Sequence, residues 1–285
     1  MLPDITEEKW TRTRVALRRT GDDFAELVSS ASDSRAKATV HWSVADTAAH
    51  VLTLARSCRH LVDHAGGPPP FSGMDDLLRT TVVDTIAQFN EELLSQLSER
   101  EPHRLGGEIK AEIARILAAT ESGDPAAAVD WVGGSRVPLA GVLAHLLNEL
   151  QIHGRDMALG LRVPWTVPPE EAAAFFDLFL IGVTEYGYGH LLDGHGPAPK
   201  GRIAVEFRSP YTAPAAMVLT DGFCTVEEPG GRPDVRLSFD PVVLNLMLFG
   251  RIGKARAAMT GKVVLRGGRR PWTLPGFLRI VRLPS

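Results

Sequence analysis

The sequence predicts a helical bundle followed by a smaller α+β domain. From Ile5 to about His190, apolar residues recur mainly at helical spacing, whereas short alternating stretches follow a Gly- and Pro-rich linker at residues 193–201. A chain of 285 residues is long enough for two domains, since most domains contain roughly 100–200 residues. We therefore expect the bundle over residues 1–195 and the α+β domain over residues 196–285.

Four long segments are expected to form the bundle, because apolar residues recur in each of them along one helix face. Three of these segments are Glu7–Ser30, Met74–Ser98 and Pro138–Gly160. The remaining one, second in the chain, begins at the capping-box-like Ser43–Asp46 and ends at Ala65–Pro70. Two weaker segments complete this half. Ala111–Glu121 predicts one short helix, and Glu170–Tyr188 predicts a further helix after a Pro-Pro break.

The second half contains short stretches of alternating apolar and polar residues, which predict a small α+β domain with a curved, mostly antiparallel sheet. The predicted strands are Arg202–Arg208, Ala215–Thr220, Phe223–Glu227, Asp234–Phe239 and Lys262–Arg266, and the predicted helices are Pro241–Phe249 and Phe277–Leu283.

The composition argues against several classes of protein. The net charge of −3 lacks the basic surplus of a nucleic-acid-binding protein. No apolar run approaches the ~18–20 residues of a membrane span, and the first residues do not resemble a signal peptide. Two cysteines are too few to form the disulfide framework of a secreted protein of this size. We expect a cytoplasmic, monomeric protein with no nucleic-acid or membrane partner.

Known catalytic motifs are largely missing. The sequence has no Gly-rich phosphate loop after a strand, no Gly-x-Ser-x-Gly and no His-Glu-x-x-His, so nucleotide-dependent and serine-hydrolase functions have no support. Cys58 and Cys224 lie in a predicted helix and a predicted strand, and we interpret both as buried structural residues.

The most informative polar row lies on the predicted helix Pro138–Gly160. Steps of four place His145, Glu149 and His153 on successive turns of one face, with Asp156 near the same line. Apolar neighbours indicate that this face is buried, where unpartnered imidazoles and carboxylates cost roughly a few kcal/mol each. A metal ion held by Glu149 and His153 would offset that cost, and so would hydrogen bonds from a neighbouring helix. Both interpretations stay open.

His50 lies in the middle of the second predicted helix, among apolar residues. Together with Glu149 and His153 it gives two imidazoles and one carboxylate, a set that leaves a fourth position for water or substrate. The alternative is a hydrogen-bonded core histidine. His60 and His64 form another pair at the end of the same helix. We interpret them as surface residues near the helix C-terminus and as the fallback metal pair.

The segments Trp42–His50 and His145–Asp156 resemble the DinB-like four-helix metalloproteins, and specifically the mycothiol-dependent maleylpyruvate isomerase branch. The first contains Trp-x-x-x-Asp-x-x-x-His and the second Glu-x-x-x-His-Gly-Arg-Asp. The second half is similar to a sterol-carrier-type domain, through the segments Pro233–Asp240, Phe249–Arg251 and Gly261–Val264. The resemblance thus implies a DinB-like four-helix bundle followed by a sterol-carrier-like α/β sandwich.

The same resemblance implies a ligand set and a cofactor. His50, Glu149 and His153 would bind zinc or another divalent metal, and mycothiol would be the thiol cofactor or cosubstrate. Arg251 is implied in the active site.

Other polar residues near the two motifs have less certain roles. Arg155 is a further candidate for anchoring an anionic substrate, although an ion pair with Asp156 would also account for it. Asp46, His145 and Asp156 are candidate partners that orient the ligands, and Asp46 can equally be a helix cap.

Two functions follow as hypotheses. The first is a zinc-dependent enzyme that transfers a thiol to a small electrophilic substrate, or isomerises it cis–trans through thiol addition. The second is a non-catalytic small-molecule or lipid-binding protein with a structural metal. The inward polar row favours the first, because a pure lipid carrier has no need of it.

Overall fold

The computed structural model describes residues 5–63, 67–194 and 197–282. An N-terminal helical domain is followed by a C-terminal domain built on a five-stranded sheet, which confirms the predicted fold class. The predicted boundary between residues 195 and 196 lies outside the described residues. Within the described ranges, no helix is long and apolar enough to cross a membrane.

Four long helices pack against one another to form the bundle: α1 (Glu7–Ser29), α2 (Val44–Val62), α5 (Pro102–Ala119) and α6 (Leu139–Leu161). Two short helices, α3 (Met74–Thr80) and α4 (Ile86–Ser95), lie between α2 and α5. The capping box that opens α2 is present, with Ser43 and Asp46 satisfying each other's backbone N–H groups.

The prediction of one continuous helix over Met74–Ser98 was wrong. The chain leaves the helix at Thr81, which has an extended backbone, and makes a 3₁₀ turn at Val83–Thr85 before α4 begins. Consecutive β-branched residues lose side-chain freedom in a helix, and Val83 N–H instead donates to the Leu191 carbonyl at 2.9 Å. The third long bundle helix is α5, not this segment.

The helix predicted over Ala111–Glu121 is longer than expected, since α5 begins at Pro102 and ends at Ala119. Two adjacent glycines, Gly106 and Gly107, lower the helical propensity of the first half of α5 and concealed it. Gly106 is needed for packing, because a β-carbon there would come within 2.7 Å of the Ala25 carbonyl oxygen on α1. The glycine lets the two helices approach closely.

The predicted helix Glu170–Tyr188 is present as three consecutive pieces. They are α7 (Pro169–Ala174), a π-helical segment at Phe175–Leu180 and α8 (Ile181–Tyr186). The π-helical segment serves both domains: Phe175 and Phe179 belong to the core of the bundle, and Phe176 belongs to the core of the sheet domain.

Seven strands are described. A short hairpin pairs β1 (Ala128–Asp130) with β2 (Arg136–Pro138). The C-terminal sheet has the order β5-β4-β3-β6-β7, in which the pair β3–β6 is parallel and the others are antiparallel, so the mostly antiparallel prediction is confirmed. Its strands are β3 (Arg202–Arg208), β4 (Ala215–Thr220), β5 (Phe223–Glu227), β6 (Val235–Phe239) and β7 (Val263–Gly267).

Three helices complete the C-terminal domain: α9 (Pro241–Leu248), α10 (Lys254–Met259) and α11 (Leu274–Ile280). The last begins one turn earlier than the predicted Phe277–Leu283, and Leu283 lies outside the described residues. Asn245 of α9 fixes the two domains together, since its buried amide donates to Asn148 Oδ1 at 2.9 Å and to the Ala172 carbonyl at 3.1 Å. Residue 148 precedes Glu149, so this contact lies beside the polar row of α6.

Candidate metal centre

Helices α2 and α6 bring His50, Glu149 and His153 together. Each of the three offers a donor atom, and these atoms all lie within 4.8 Å of one another. All three side chains are buried: the exposed fractions of the residues are 2% for His50, 6% for Glu149 and 5% for His153. The structure therefore places the three predicted ligands in one cluster, which the spacing within α6 had indicated only for two of them.

Glu149 lies between two imidazoles of its own helix. Its Oε2 is 3.2 Å from His153 Nε2, and its Oε1 is 3.4 Å from His145 Nε2. Burial by itself raises the pKa of Glu149, but the contact with His153 and the surrounding imidazoles outweigh it and lower this pKa to about 2. The carboxylate is therefore ionised at neutral pH, as a metal ligand must be.

His50 faces this pair from α2. Its ring centroid is 5.0 Å from that of His153 and 4.6 Å from that of Trp42. Burial, together with the nearby His153, lowers the pKa of His50 to about 3, so the imidazole is neutral at neutral pH. Its Nδ1 is buried and finds no hydrogen-bond partner among the described residues. A neutral imidazole with an unpartnered nitrogen is suited to bind a cation.

The donor set fits a divalent metal. Two imidazoles and one carboxylate are the ligands of several catalytic zinc sites, and they leave a position for water or substrate. The alternative, a row satisfied by a neighbouring helix, has little support among the described contacts, since Glu149 contacts imidazoles of its own helix and the facing side chain on α2 is itself an imidazole.

Asp156 links the cluster to the C-terminal domain. Its Oδ2 is 3.5 Å from His153 Nδ1 and accepts hydrogen bonds from Arg251 Nε at 3.0 Å and Arg251 Nη2 at 2.7 Å. Burial by itself lowers the pKa of His153, but Asp156 and Glu149 on either side raise it overall. Asp156 thus lies next to Nδ1 while Nε2 faces Glu149, and a carboxylate at that position is the usual partner that orients histidine ligands in metal sites.

The other predicted site residues are placed differently. Asp46 caps α2 and pairs with Arg100 at 2.9 Å, so the structure shows its capping role. Arg155 is not among the residues that line the cavity described below, and Asp156 pairs with Arg251 in its place. His60 lies 3.7 Å from Asp75, and its fallback partner His64 lies outside the described residues.

Both cysteines are buried and free. Burial raises the pKa of Cys58 and of Cys224 to about 12, so neither thiol forms a thiolate readily. This agrees with their interpretation as structural residues. The chain therefore has no reactive sulfur of its own.

An aromatic wall next to the cluster was missed by the sequence reasoning. The His145 ring lies 5.0 Å from Trp131 and 4.8 Å from Phe179, while Phe175 and Phe179 stack at 5.1 Å. The signal was available in the aromatic-rich run Phe175–Leu180, but helical spacing does not reveal the π-helical turn that directs these rings to the site.

One cavity of about 1150 Å³ connects these features. Its lining includes the three clustered residues, Arg251 and an apolar region of the C-terminal sheet. The two domains therefore share a single site.

We expect Gly154→Ala to destabilise the protein by about 1–3 kcal/mol through overpacking. Gly154 follows His153 on α6, and a β-carbon there would come within 2.5 Å of Trp165 Cε2. The matched control is Gly107→Ala on α5, where nothing lies within 4 Å of the added carbon. That control should gain up to about 1 kcal/mol from helix propensity. Urea unfolding measures both, and equal effects of the two substitutions would contradict the packing argument.

Comparison with known proteins gives the family. The family model described as the mycothiol maleylpyruvate isomerase N-terminal domain matches residues 14–158. A crystal structure of the mycothiol-dependent maleylpyruvate isomerase is 17% identical and has a TM-score of 0.50, with 92% of this chain and 93% of that chain covered. A crystal structure of a histidine-to-alanine mutant of that isomerase is 16% identical, with a TM-score of 0.48 and coverage of 90% and 93%. No curated protein matches the chain significantly.

At such low identity, the crystal structure with the TM-score of 0.50 shows a shared fold. The family match carries more, since it spans about half of the chain and contains His50, Glu149 and His153. The chain belongs to the family defined by the mycothiol maleylpyruvate isomerase N-terminal domain.

Proposed function

We propose that the protein is a zinc-dependent enzyme that uses mycothiol to transfer sulfur to, or to isomerise cis–trans, a small electrophilic substrate. The observation that carries this proposal is the buried cluster of His50, Glu149 and His153, which faces a large cavity reached by Arg251 from the other domain. A purely structural metal needs neither the cavity nor the arginine. The proposed unit contains both domains, residues 1–195 and 196–285.

In this proposal His50, Glu149 and His153 hold the metal, and we propose zinc because the same donor set binds it in several catalytic sites. When bound, such a metal lowers the pKa of a coordinated thiol and so supplies a nucleophilic thiolate. The chain's own residues prepare the position: His50 is kept neutral by burial, Glu149 is kept ionised, and Asp156 orients His153.

Arg251 is proposed to bind the polar end of the substrate. A guanidinium has five N–H donors, and three of them are used within the protein. Nε and Nη2 each donate to Asp156, and Nη1 donates to the Phe249 carbonyl at 2.6 Å. One N–H on each terminal nitrogen is left for a carbonyl or carboxylate oxygen. Because Asp156 also contacts His153, the anchored end of the substrate lies next to the ligand cluster.

The reaction class needs no oxidant or reductant. In thiol addition to an activated carbon–carbon double bond, a sulfur–carbon bond forms at the β-carbon and the thiol proton is replaced by one at the α-carbon. Reversal of the same step after rotation about the former double bond returns the thiol and the isomerised substrate. The absence of a reactive cysteine in the chain agrees with a thiol supplied by a separate molecule.

The test is incubation of zinc-loaded protein with mycothiol and a panel of electrophiles, followed by mass spectrometry. We expect S-conjugates or isomerised substrate, and a loss of turnover of at least ~100-fold in Glu149→Gln, which keeps the volume of the side chain but removes its charge. Product without net thiol consumption identifies an isomerase, and S-conjugates identify a transferase. A folded, metal-loaded protein that does neither with any electrophile would refute the proposal in favour of a binding protein.

A further inference from the structure

The cavity extends well beyond the ligand cluster into the C-terminal domain. We call this extension the apolar lobe and define it by Met217, Leu237, Val263, Leu248, Phe277 and Leu278. The first three lie on strands β4, β6 and β7, and the others lie on helices α9 and α11. The lobe is continuous with the space in front of His50, Glu149 and His153.

The cavity is larger than a small polar substrate requires. Small-molecule sites commonly enclose ~300–1,000 Å³, and this cavity encloses about 1150 Å³. A short, highly charged substrate and the polar thiol cosubstrate would lie near Arg251 and the ligand cluster and leave the apolar lining of the lobe uncovered. The cavity therefore has room for a longer ligand.

The lobe excludes charge. None of its six defining side chains is polar, and the C-terminal domain brings three cations to the cavity, Arg251, Lys254 and Arg282. Two of these are already paired, Arg251 with Asp156 and Arg282 with Asp84. Lys254 lies at the rim, where its residue is exposed. A carboxylate placed among the six apolar side chains would lose its hydration with no hydrogen-bond donor of theirs to replace it, at a large cost in free energy. The lobe therefore favours an uncharged occupant.

Apolar surface in the lobe remains to be covered. Leu248, Val263 and Leu278 line the cavity and yet are only half-buried, unlike the fully buried Phe277 of the same lobe. Contiguous apolar surface that stays accessible inside a cleft is characteristic of ligand-binding grooves. Covering it with methylene groups would be favourable, at about 0.8 kcal/mol for each group.

We propose that the electrophilic substrate carries an uncharged, apolar chain that lies in the lobe, while its reactive end lies at the ligand cluster. This inference rests on the proposed function for the reactive end. The affinity of the lobe for an apolar chain does not depend on the metal or on the thiol, so the two parts can be tested separately.

The first test uses metal-free protein and unreactive ligands. Straight-chain primary alcohols from butanol to dodecanol displace the fluorescent probe 1-anilinonaphthalene-8-sulfonate, and the apparent dissociation constant is read from the loss of fluorescence. We expect this constant to fall by about two- to fourfold for each added methylene until the lobe is filled. A constant that does not depend on chain length would overturn the proposal.

Filling the lobe should abolish the dependence on chain length. Leu278→Trp and Leu248→Trp each place a large ring in the lobe at a half-buried position, so at least one is expected to fold. The matched control is Leu159→Trp on α6, where the leucine is 61% exposed and does not line the cavity. A cooperative thermal unfolding transition followed by circular dichroism shows that a variant is folded. If the lobe variants bind long alcohols as the control does, the lobe is not the binding site.

The second test asks whether the chain belongs to the substrate. Zinc-loaded enzyme and mycothiol are given trans-2-alkenals from butenal to dodecenal, and we expect kcat/KM to rise at least tenfold with length in the wild type but not in Leu278→Trp. Conjugation of the short alkenals without any gain from longer ones would refute the apolar chain only. Failure to conjugate an alkenal of any length, together with alcohol binding that tightens with chain length, would support the apolar lobe and count against thiol addition as the reaction of the proposed function.

Discussion

Replacing His50 by alanine is expected to weaken metal binding by more than 100-fold while leaving the protein folded. His50 supplies the one donor from α2, and without it Glu149 and His153 on α6 keep only two donors. Loss of an outer hydrogen-bonding partner already costs metal sites ~10–100-fold in affinity, so loss of a direct ligand costs more. Isothermal titration of the metal-free protein with zinc measures the change.

The fold should survive this substitution because His50 contributes little to it. Its imidazole is buried with an unpartnered Nδ1, and it lines a cavity, so a smaller side chain leaves no sealed void. Zinc should raise the thermal unfolding midpoint of the wild type and leave that of His50→Ala unchanged, since only a ligand that binds the folded state stabilises it.

The matched control is His60→Ala on the same helix. His60 is one member of the fallback metal pair and lies 3.7 Å from Asp75, ten residues beyond His50 and so about 15 Å further along α2. We expect its zinc affinity to equal that of the wild type. If His60→Ala loses zinc and His50→Ala keeps it, the metal centre lies at the end of α2 and the proposed ligand set is wrong.

The sequence predicts the α6 part of the site well, because periodicity is a local property. Glu149 and His153 lie four residues apart on a buried helix, and that spacing determines that they meet. That His50 meets them depends on how α2 packs on α6, which no local pattern encodes. The sequence made His50 a candidate with a core histidine as the alternative, the resemblance to a known family implied its role as a ligand, and the structure supplies its position.

The missed parts of the fold share one cause, the dominance of tertiary contacts over local propensity. Gly106 weakens α5 as an isolated helix, yet it permits the close approach to Ala25 that stabilises the helix in the bundle. The apolar periodicity of Met74–Ser98 continues across Thr81 and Val82, whereas the backbone there leaves the helix. In the same way, Arg251 and Asp156 were both predicted as site residues, but their pairing across 95 positions required the structure.

Removal of Arg251 is expected to destabilise the protein by about 3 kcal/mol, because it leaves a buried carboxylate unpaired. Asp156 is 5% exposed and accepts hydrogen bonds from both Nε and Nη2 of the guanidinium. Arg251→Met keeps most of the apolar stem and removes the charge. Urea unfolding followed by tryptophan fluorescence measures the loss, and the double variant Asp156→Asn with Arg251→Met should recover a large part of it, since no unpaired charge remains.

The matched control for this pair is Arg270→Met within the C-terminal domain. Arg270 donates to Asp234 from Nε at 2.8 Å and from Nη2 at 3.0 Å, so the donor atoms match those of Arg251, and Asp234 is also buried but keeps a hydrogen bond from the Ala204 N–H at 3.0 Å. Both substitutions should destabilise the protein, but only Arg251→Met should also alter zinc affinity, because Asp156 lies 3.5 Å from His153 Nδ1. Equal zinc affinities in the two variants would show that Arg251 only stabilises the contact between the two domains. A change confined to Arg251→Met would show that the C-terminal domain tunes the metal centre through Asp156.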